Sequence, residues 1–365
     1  MSGSQLENLE ILRALYKADL AGLRIAFGAQ GEAAGYLKFA CKNRLAGTSF
    51  FLLEECGGAH LAPPELVSQL KLFHLEQWGT NQRLLREARK VRNFLTEAGI
   101  EHAFLKGIFF SQQYYESPDA RIVADLDLLV EKASFARADQ TLRDSGFDRR
   151  SRILWTEAAT ARFTSSFEYQ RGDFELDLHW TVGEHPTYRI DTQRLWHGRQ
   201  TVEIGSDTFP VVSVECALTT HILGAFRDLE LGTSTLRPFA DLFRMLEKLD
   251  DQVDWDQFLD RARTERTFRI AVNILNMTLE LFAGRESAPY LAAQLKRHRG
   301  ALASNGAVEA LALVQPAGKM AFRNRYRAWR LYETTLPQSL YWWTVSLPFR
   351  IAASPRRTPR TEGVA

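Results

Sequence analysis

The pattern of apolar and polar positions divides the chain into helical ends and a mixed middle. Residues 1 to about 60 alternate helical patterning with small-residue stretches, which predicts a helical N-terminal region. From Pro64 to Gly99 apolar residues recur at helical spacing, which predicts one long helix that ends at the glycine. From Ser213 onward apolar residues again recur every three or four positions, so a second helical part is expected there.

The middle of the chain has the pattern of strands. The short apolar run from His102 ends at Gly107 and predicts a buried strand, a turn and then a helix from Ile108. The run Arg121–Val130 predicts a second strand, and two runs on either side of Arg171–Asp173 predict a β-hairpin. The fold class expected from this order is α+β.

We therefore expect four regions along the chain. Residues 1–62 form the helical N-terminal region, 63–212 the mixed core and 213–350 an all-helical C-terminal module. Residues 351–365 are rich in Pro, Arg and Thr and have few apolar residues, which predicts a disordered tail. Residues 326–350 mix arginine with aromatics, a composition compatible with a membrane surface or a partner, although packing across the domain is the simpler interpretation.

Composition restricts the partners and the compartment. The 365 residues include 46 Lys plus Arg against 44 Asp plus Glu, so a net charge of +2 gives no global attraction to long nucleic acid. The 3 cysteines form no metal-binding or disulfide pattern, which favours a reducing compartment. No signal sequence or apolar run of membrane-spanning length is present, and we expect a cytoplasmic protein.

The stretch RIVADLDLLV places two carboxylates inside an apolar run. In an extended strand Asp125 and Asp127 share one outward face, while Leu126 and Leu128 face the core. Two neighbouring carboxylates repel each other unless a proton or a divalent cation lies between them, and oxygen ligands suit Mg²⁺. The alternative is that the two acids are merely the polar face of an edge strand.

A third carboxylate strengthens the metal interpretation. On the second hairpin strand Asp177 shares a face with Glu175 and His179, so pairing of the two strands would bring three acids together. Such a site suits two metal ions and phosphoryl chemistry. Lys106 and Gly107 fit this chemistry, because a glycine turn before a helix offers N–H groups to phosphate.

Several segments, in order, resemble the uncharacterised bacterial nucleotidyltransferase family of the DNA-polymerase-β-like superfamily. The resemblance covers residues 65 to 285. The segments that carry it are Leu105-Lys106-Gly107, Tyr114-Tyr115, Arg121 with Asp125–Val130, and Glu175–Trp180.

The resemblance implies a polymerase-β-like mixed sheet with flanking helices and a helical C-terminal module. It also implies that Gly107 lines a triphosphate, and that Asp125, Asp127 and Asp177 bind two Mg²⁺ ions. The family's usual Gly-Ser pair is here Gly107-Ile108, which removes a hydroxyl that would contact phosphate. Lys106 or Arg121 would then replace that contact.

The expected function is transfer of a nucleoside monophosphate from an NTP, with ATP expected, to a hydroxyl or phosphate acceptor. The acceptor would be a small molecule, peptide or protein. Asp125, Asp127 and Asp177 would be catalytic, with Lys106, Gly107 and Arg121 at the nucleotide. Two alternatives are a non-catalytic nucleotide-binding or scaffold protein and a transferase of the γ-phosphoryl group.

Other polar residues have competing interpretations. Arg121 could reach phosphate or pair with Asp119 or Asp125. His179 could orient Asp177 or an acceptor, or simply pack as a structural residue. Four residues of the helical module would lie near base or acceptor in the family, although a solvated helix face is the simpler expectation. They are His221, Arg227, Arg237 and Asp241.

Overall fold

The computed structural model of the protein confirms the α+β class. A seven-stranded mixed sheet is flanked by helices. The structure describes residues 3–29, 33–151, 156, 164–183, 188–302, 306–314 and 344.

The first five helices precede the sheet. They are α1 (Gly3–Tyr16), α2 (Leu20–Ala29), α3 (Ala33–Lys42), α4 (Ala46–Glu55) and α5 (Pro64–Glu97). The predicted long helix is α5, whose 34 residues extend for about 50 Å at 1.5 Å per residue. Its first half packs on α3 and α4, and its second half covers the sheet. This one helix therefore ties the N-terminal helices to the core.

The sheet order is β3-β4-β5-β2-β1-β7-β6. Within it β2 is antiparallel to β1 and parallel to β5, and β4 and β5 form the predicted hairpin. Helix α6 (Ile108–Tyr115) follows β1, α7 (Phe135–Asp144) follows β2 and α8 (Thr192–Trp196) precedes β6. The strands are β1 (His102–Phe104), β2 (Leu126–Val130), β3 (Asp148–Arg149), β4 (Ser166–Arg171), β5 (Phe174–His179), β6 (Gln200–Ile204) and β7 (Asp207–Val211).

Strand β2 is central, and this position corrects two expectations. Because β5 and β1 flank β2, the edge-strand interpretation is wrong. Every residue from Leu126 to Val130 is buried. Asp127 is only 2% exposed, so it does not lie on an outward, solvated face. Asp125 lies just before the strand rather than within it.

The C-terminal part is helical, as predicted. A continuous hydrophobic core joins its helices to α1–α4 and to one face of the sheet, at Ala103, Leu105 and Leu129. The opposite face packs on α5 and α7 in a separate core. The helices are α9 (Val214–Leu231), α10 (Arg237–Leu249), α11 (Trp255–Thr264), α12 (Phe268–Leu281), α13 (Pro289–Arg297) and α14 (Ala307–Val314).

The predicted region boundaries at 62/63 and 212/213 stay predictions. The predicted tail, residues 351–365, and the aromatic segment 326–350 apart from position 344 lie outside the described residues. Within the described part of the chain, no helix combines the length and the apolar character needed to cross a membrane.

Candidate active site

The pairing of β2 with β5 brings two of the predicted acids together. In this parallel pair Asp127 is in register with Asp177, so the two side chains lie side by side on one face of the sheet. His179, two residues further along β5, is on the same face. One ligand atom from each of Asp127, Asp177 and His179 lies within 4.8 Å of the others. We call these three residues the acid cluster.

Lys106 completes the surroundings of Asp127. The Leu105 N–H donates to the Asp127 carbonyl at 3.1 Å, which places the next residue, Lys106, beside this strand. The Lys106 Nζ lies 2.9 Å from Asp127 Oδ1, and the His179 Nε2 lies 3.2 Å from the same oxygen. Burial by itself raises the pKa of Asp127, but Lys106 and His179 lower it well below its ordinary value. Asp127 is therefore an ionised carboxylate.

Asp177 has the opposite electrostatic environment. Burial, followed by the charges of Asp127, Asp125 and Glu168, raises the pKa of Asp177 well above its ordinary value. The Asp177 carboxylate forms no hydrogen bond or ion pair with any described residue. It therefore holds a proton more tightly than an exposed aspartate does.

Glu168 was not identified from the sequence. It lies directly opposite Asp177 in the antiparallel pair of β4 and β5. The signal was present, because alternation counted back from the turn at Gly172 puts Glu168 on the same face as Asp177. A fourth carboxylate therefore contributes to the negative potential of the site.

Asp125 is a neighbour of the cluster but is not one of its converging donors. Its charge raises the pKa of both Asp177 and Lys106. Burial lowers the pKa of Lys106, yet Asp127 and Asp125 outweigh burial and the pKa of Lys106 is raised overall. The structure thus assembles Asp127, Asp177 and Lys106, with Asp125 beside them.

The predicted glycine turn forms at Gly107, the residue before α6. Its φ of 76° and ψ of −133° favour glycine, and a Cβ there would lie 3.2 Å from Val123 Cγ1. No side chain caps the start of α6, so its first N–H groups can meet an anion. The turn has the chemistry expected of a phosphate cradle.

Arg121 is hydrogen-bonded to the backbone of this turn. Its Nη1 donates to the Gly107 carbonyl at 3.3 Å, and its Nη2 lies 3.1 Å from Asp241 Oδ2. The Tyr115 hydroxyl donates to Asp241 Oδ1 at 3.1 Å and lies 3.0 Å from the Tyr16 hydroxyl. We call Arg121, Asp241, Tyr115 and Tyr16 the arginine network. The predicted pairing of Arg121 with an acid of its own loop is wrong, because buried Asp241 takes that place.

Helix α5 fixes the loop that carries Arg121 and leads to Asp125. The Gln77 side chain donates to the Asp119 carbonyl at 2.6 Å, and the Asn81 side chain donates to the Arg121 carbonyl at 2.8 Å. Both amides are buried on the helix. The loop between α6 and β2 is therefore held by specific hydrogen bonds.

The helical module contributes buried groups, not only a solvated face. His221 stacks on Phe110 with ring centroids 4.3 Å apart, and its Nδ1 lies 2.8 Å from the Ala217 carbonyl. Burial, together with Arg121 and Lys106, lowers the pKa of His221 to about 3, so the imidazole is neutral at physiological pH. The solvated-face expectation is wrong for His221 and Asp241, which are 8% and 2% exposed.

The acid cluster has the donor chemistry of a divalent-cation site. Two carboxylates suit Mg²⁺, and an imidazole nitrogen adds a donor that also suits Mn²⁺ or Zn²⁺. The predicted roles for His179 were orientation of Asp177 or of an acceptor, or packing, whereas its Nε2 contacts Asp127. Two of the three acids predicted from the sequence, Asp127 and Asp177, therefore fit a metal, with His179 as a donor that the sequence interpretation did not assign.

Comparison with known proteins identifies a family. A family model described as uncharacterised nucleotidyltransferase matches residues 31–283, well over half of the chain. No curated protein matches the chain. The matched span contains the acid cluster, the glycine turn and the arginine network except Tyr16.

Proposed function

The chain belongs to the family of uncharacterised nucleotidyltransferases, and on that premise we propose that it transfers a nucleoside monophosphate in an Mg²⁺-dependent reaction. The donor is an NTP, with ATP expected, and the acceptor is a hydroxyl or phosphate group on a small molecule, peptide or protein. Pyrophosphate is released. The observation that carries the proposal is the convergence of Asp127, Asp177 and His179 beside the glycine turn.

Asp125, Asp127 and Asp177 are the proposed ligands for two Mg²⁺ ions, with His179 as a further donor. Bound divalent cations would supply positive charge to the phosphates and to the attacking and leaving oxygens. Asp127 suits this role because its lowered pKa favours the ionised carboxylate. The excess of acids over cations at this point of the sheet supports a requirement for metal.

The reaction replaces one bond to the α-phosphorus by another. The acceptor oxygen forms a bond to the α-phosphorus, and the bond from this phosphorus to the bridging oxygen of the β-phosphate breaks. Asp177, whose pKa is raised, is suited to accept the proton of an acceptor hydroxyl. The Gly107 turn and Lys106 would hold the β- and γ-phosphates, and Arg121 would keep the turn in place through its bond to the Gly107 carbonyl.

The near-neutral net charge of the protein argues against long nucleic acid as the acceptor. With a net charge of +2 the protein lacks the strong positive field that long nucleic acid attracts, so a small molecule, peptide or protein is the proposed acceptor.

Labelled ATP tests the reaction class. ATP labelled at the α- or γ-phosphate is incubated with the protein, Mg²⁺ and a cell extract, and the labelled products and released anions are identified. We expect the α-label to reach an acceptor with release of pyrophosphate, and neither product with Asp177→Asn. Transfer of the γ-label with release of ADP would instead show phosphoryl transfer. Bound ATP without either product would support a non-catalytic role.

A further inference from the structure

A group of cations from separate parts of the chain lies next to the acid cluster. Burial raises the pKa of Asp228 on α9, and four cations lie close enough to oppose this rise, namely Arg227, Arg237, Lys106 and Arg44. They come from α9, from the start of α10, from the end of β1 and from the end of α3. The N-terminal helices therefore bring a cation to the side of the catalytic core.

Arg237 is the best placed of these cations. Its Nη1 donates to the Ile122 carbonyl at 3.3 Å, in the loop that leads to Asp125. Its Nε is buried and has no hydrogen-bond partner among the described residues. Burial, then the charges of Arg121 and Arg44, lower the pKa of Arg237 to about 10, while Asp241 and Asp125 oppose this shift. Arg237 thus lies between other arginines and the acids of the site.

Arg44 is fixed beside Arg237 by the end of α3. The Leu45 N–H bonds to the Ala40 carbonyl at 2.8 Å and the Arg44 N–H to the Cys41 carbonyl at 3.0 Å, which is the Schellman pattern. Arg44 has a φ of 58° at the position where that pattern usually has glycine. Asn43 accepts a hydrogen bond from the Leu236 N–H at 3.0 Å, directly before Arg237. These hydrogen bonds therefore hold the chain at Arg44 close to the chain at Arg237.

The pairing of the cations distinguishes these two arginines from their neighbours. Lys106 pairs with Asp127, and Arg121 pairs with Asp241. Arg44 and Arg237 have no carboxylate within 4.0 Å in the part of the chain that the structure describes. Acids act on Arg237 only from a longer range, and cations that converge without a bonded carboxylate are typical of a site for a multiply charged anion.

We propose that Arg237 and Arg44 form the subsite for the terminal phosphates of the nucleoside triphosphate. This assignment rests on the proposed function and adds to it the part played by α3 and α10. It also accounts for Ile108, because two guanidinium groups replace the phosphate contact of the hydroxyl that Ile108 lacks. The subsite makes the end of α3 part of the nucleotide site.

Calorimetric titration of the full chain tests the subsite. Mg²⁺ with ATP, Mg²⁺ with AMP, and inorganic tripolyphosphate are titrated into the wild type, Arg237→Gln and Arg44→Gln. We expect each variant to bind ATP and tripolyphosphate about 10-fold more weakly, because each loses a charged contact to phosphate. AMP should bind each variant as it binds the wild type. Arg143→Gln is the control, since this exposed arginine lies on α7, over the opposite face of the sheet.

The outcomes separate the subsite from the proposed function. If wild type and both variants bind ATP with the same affinity, the subsite is wrong and the proposed function is unaffected. If the wild type binds no nucleotide with Mg²⁺, the proposed function fails and the subsite fails with it. An equal loss of ATP and AMP affinity would place the arginines elsewhere on the nucleotide and would overturn the assignment to the terminal phosphates. Circular dichroism of each variant checks that the fold is retained.

Discussion

Two buried polar groups lie on the same side of the sheet, and their charges are balanced differently. In the arginine network Asp241 has two partners, Arg121 at 3.1 Å and the Tyr115 hydroxyl at 3.1 Å. In the acid cluster Asp177 has no such partner among the described residues, and the charges that act on it are mainly those of other acids. Loss of one partner from a buried ion pair destabilises a fold, whereas surplus buried acids indicate a place for a cation.

The acid cluster itself contains two opposite contributions to stability. The lowered pKa of Asp127 means that its ionised form is stabilised in the folded protein, and this contribution is lost as pH falls below the ordinary aspartate range. The raised pKa of Asp177 means that its ionised form is disfavoured by folding. Substitution of Asp127 therefore disturbs the fold as well as the site. Substitution of Asp177 is the better way to separate an effect on catalysis from an effect on stability.

The largest expected effect is on catalysis. Asp177→Asn should lower the turnover number by about 100-fold to 10,000-fold, since it removes both a metal ligand and the proposed proton acceptor. The free energy of unfolding at neutral pH should stay the same or rise, because the repulsion from Asp127 and Asp125 is removed. Initial rates of pyrophosphate release and urea denaturation measure the two quantities. Full activity in this variant would refute the assignment.

Asp241→Asn should show the opposite pattern. It leaves Arg121 buried and without its carboxylate, so the free energy of unfolding should fall by about 3 kcal/mol. Urea denaturation of this variant and of Asp177→Asn compares the two buried groups directly, with the same chemical change at each. A loss below about 1 kcal/mol would show that Arg121 does not depend on this pair.

Glu247, a partly buried acid outside both groups, tests the effect of burial without repulsion between acids of the cluster. Burial raises the pKa of Glu247 on α10 to about 7, although Arg244 opposes the shift. Between about pH 4.5 and 7 the folded state keeps a proton that the unfolded chain has lost, so stability falls as pH rises through this window. In Glu247→Gln that fall should shrink by about 2 kcal/mol. Melting temperatures of both proteins from pH 4 to 8 measure the difference, and parallel pH curves would contradict the shift.

The smallest expected effect concerns the far end of the arginine network. Tyr16→Phe removes the hydroxyl that lies 3.0 Å from the Tyr115 hydroxyl and leaves the ion pair in place. The free energy of unfolding should fall by about 1 kcal/mol, with turnover unchanged. Chemical denaturation and a rate measurement check both parts. A large loss of turnover would show that the network acts on catalysis and not only on stability.

The local pattern predicted much of the site. Alternation in Phe174–His179 placed Asp177 and His179 on one face, and the glycine after the first strand marked the turn at Gly107. These features depend on neighbouring residues, which the sequence displays directly.

Features set by distant residues could not be predicted. Asp241 is 120 positions from Arg121 in the chain, so nothing local marks the two as partners. The burial of Leu126–Val130 on both faces depends on helices that pack on the sheet from other parts of the chain. Arg44 lies near Arg237 because the Asn43 side chain accepts a hydrogen bond from the Leu236 N–H and so joins the end of α3 to the start of α10.

The central claim is that the acids bind a metal that in turn binds nucleotide. The most direct measurement is calorimetric titration of the four NTPs, with and without Mg²⁺, into the wild type and the double variant Asp125→Asn/Asp127→Asn. We predict binding that requires Mg²⁺ in the wild type and is lost in a folded double variant. Equal binding by both proteins, or no binding by the folded wild type, would contradict the claim.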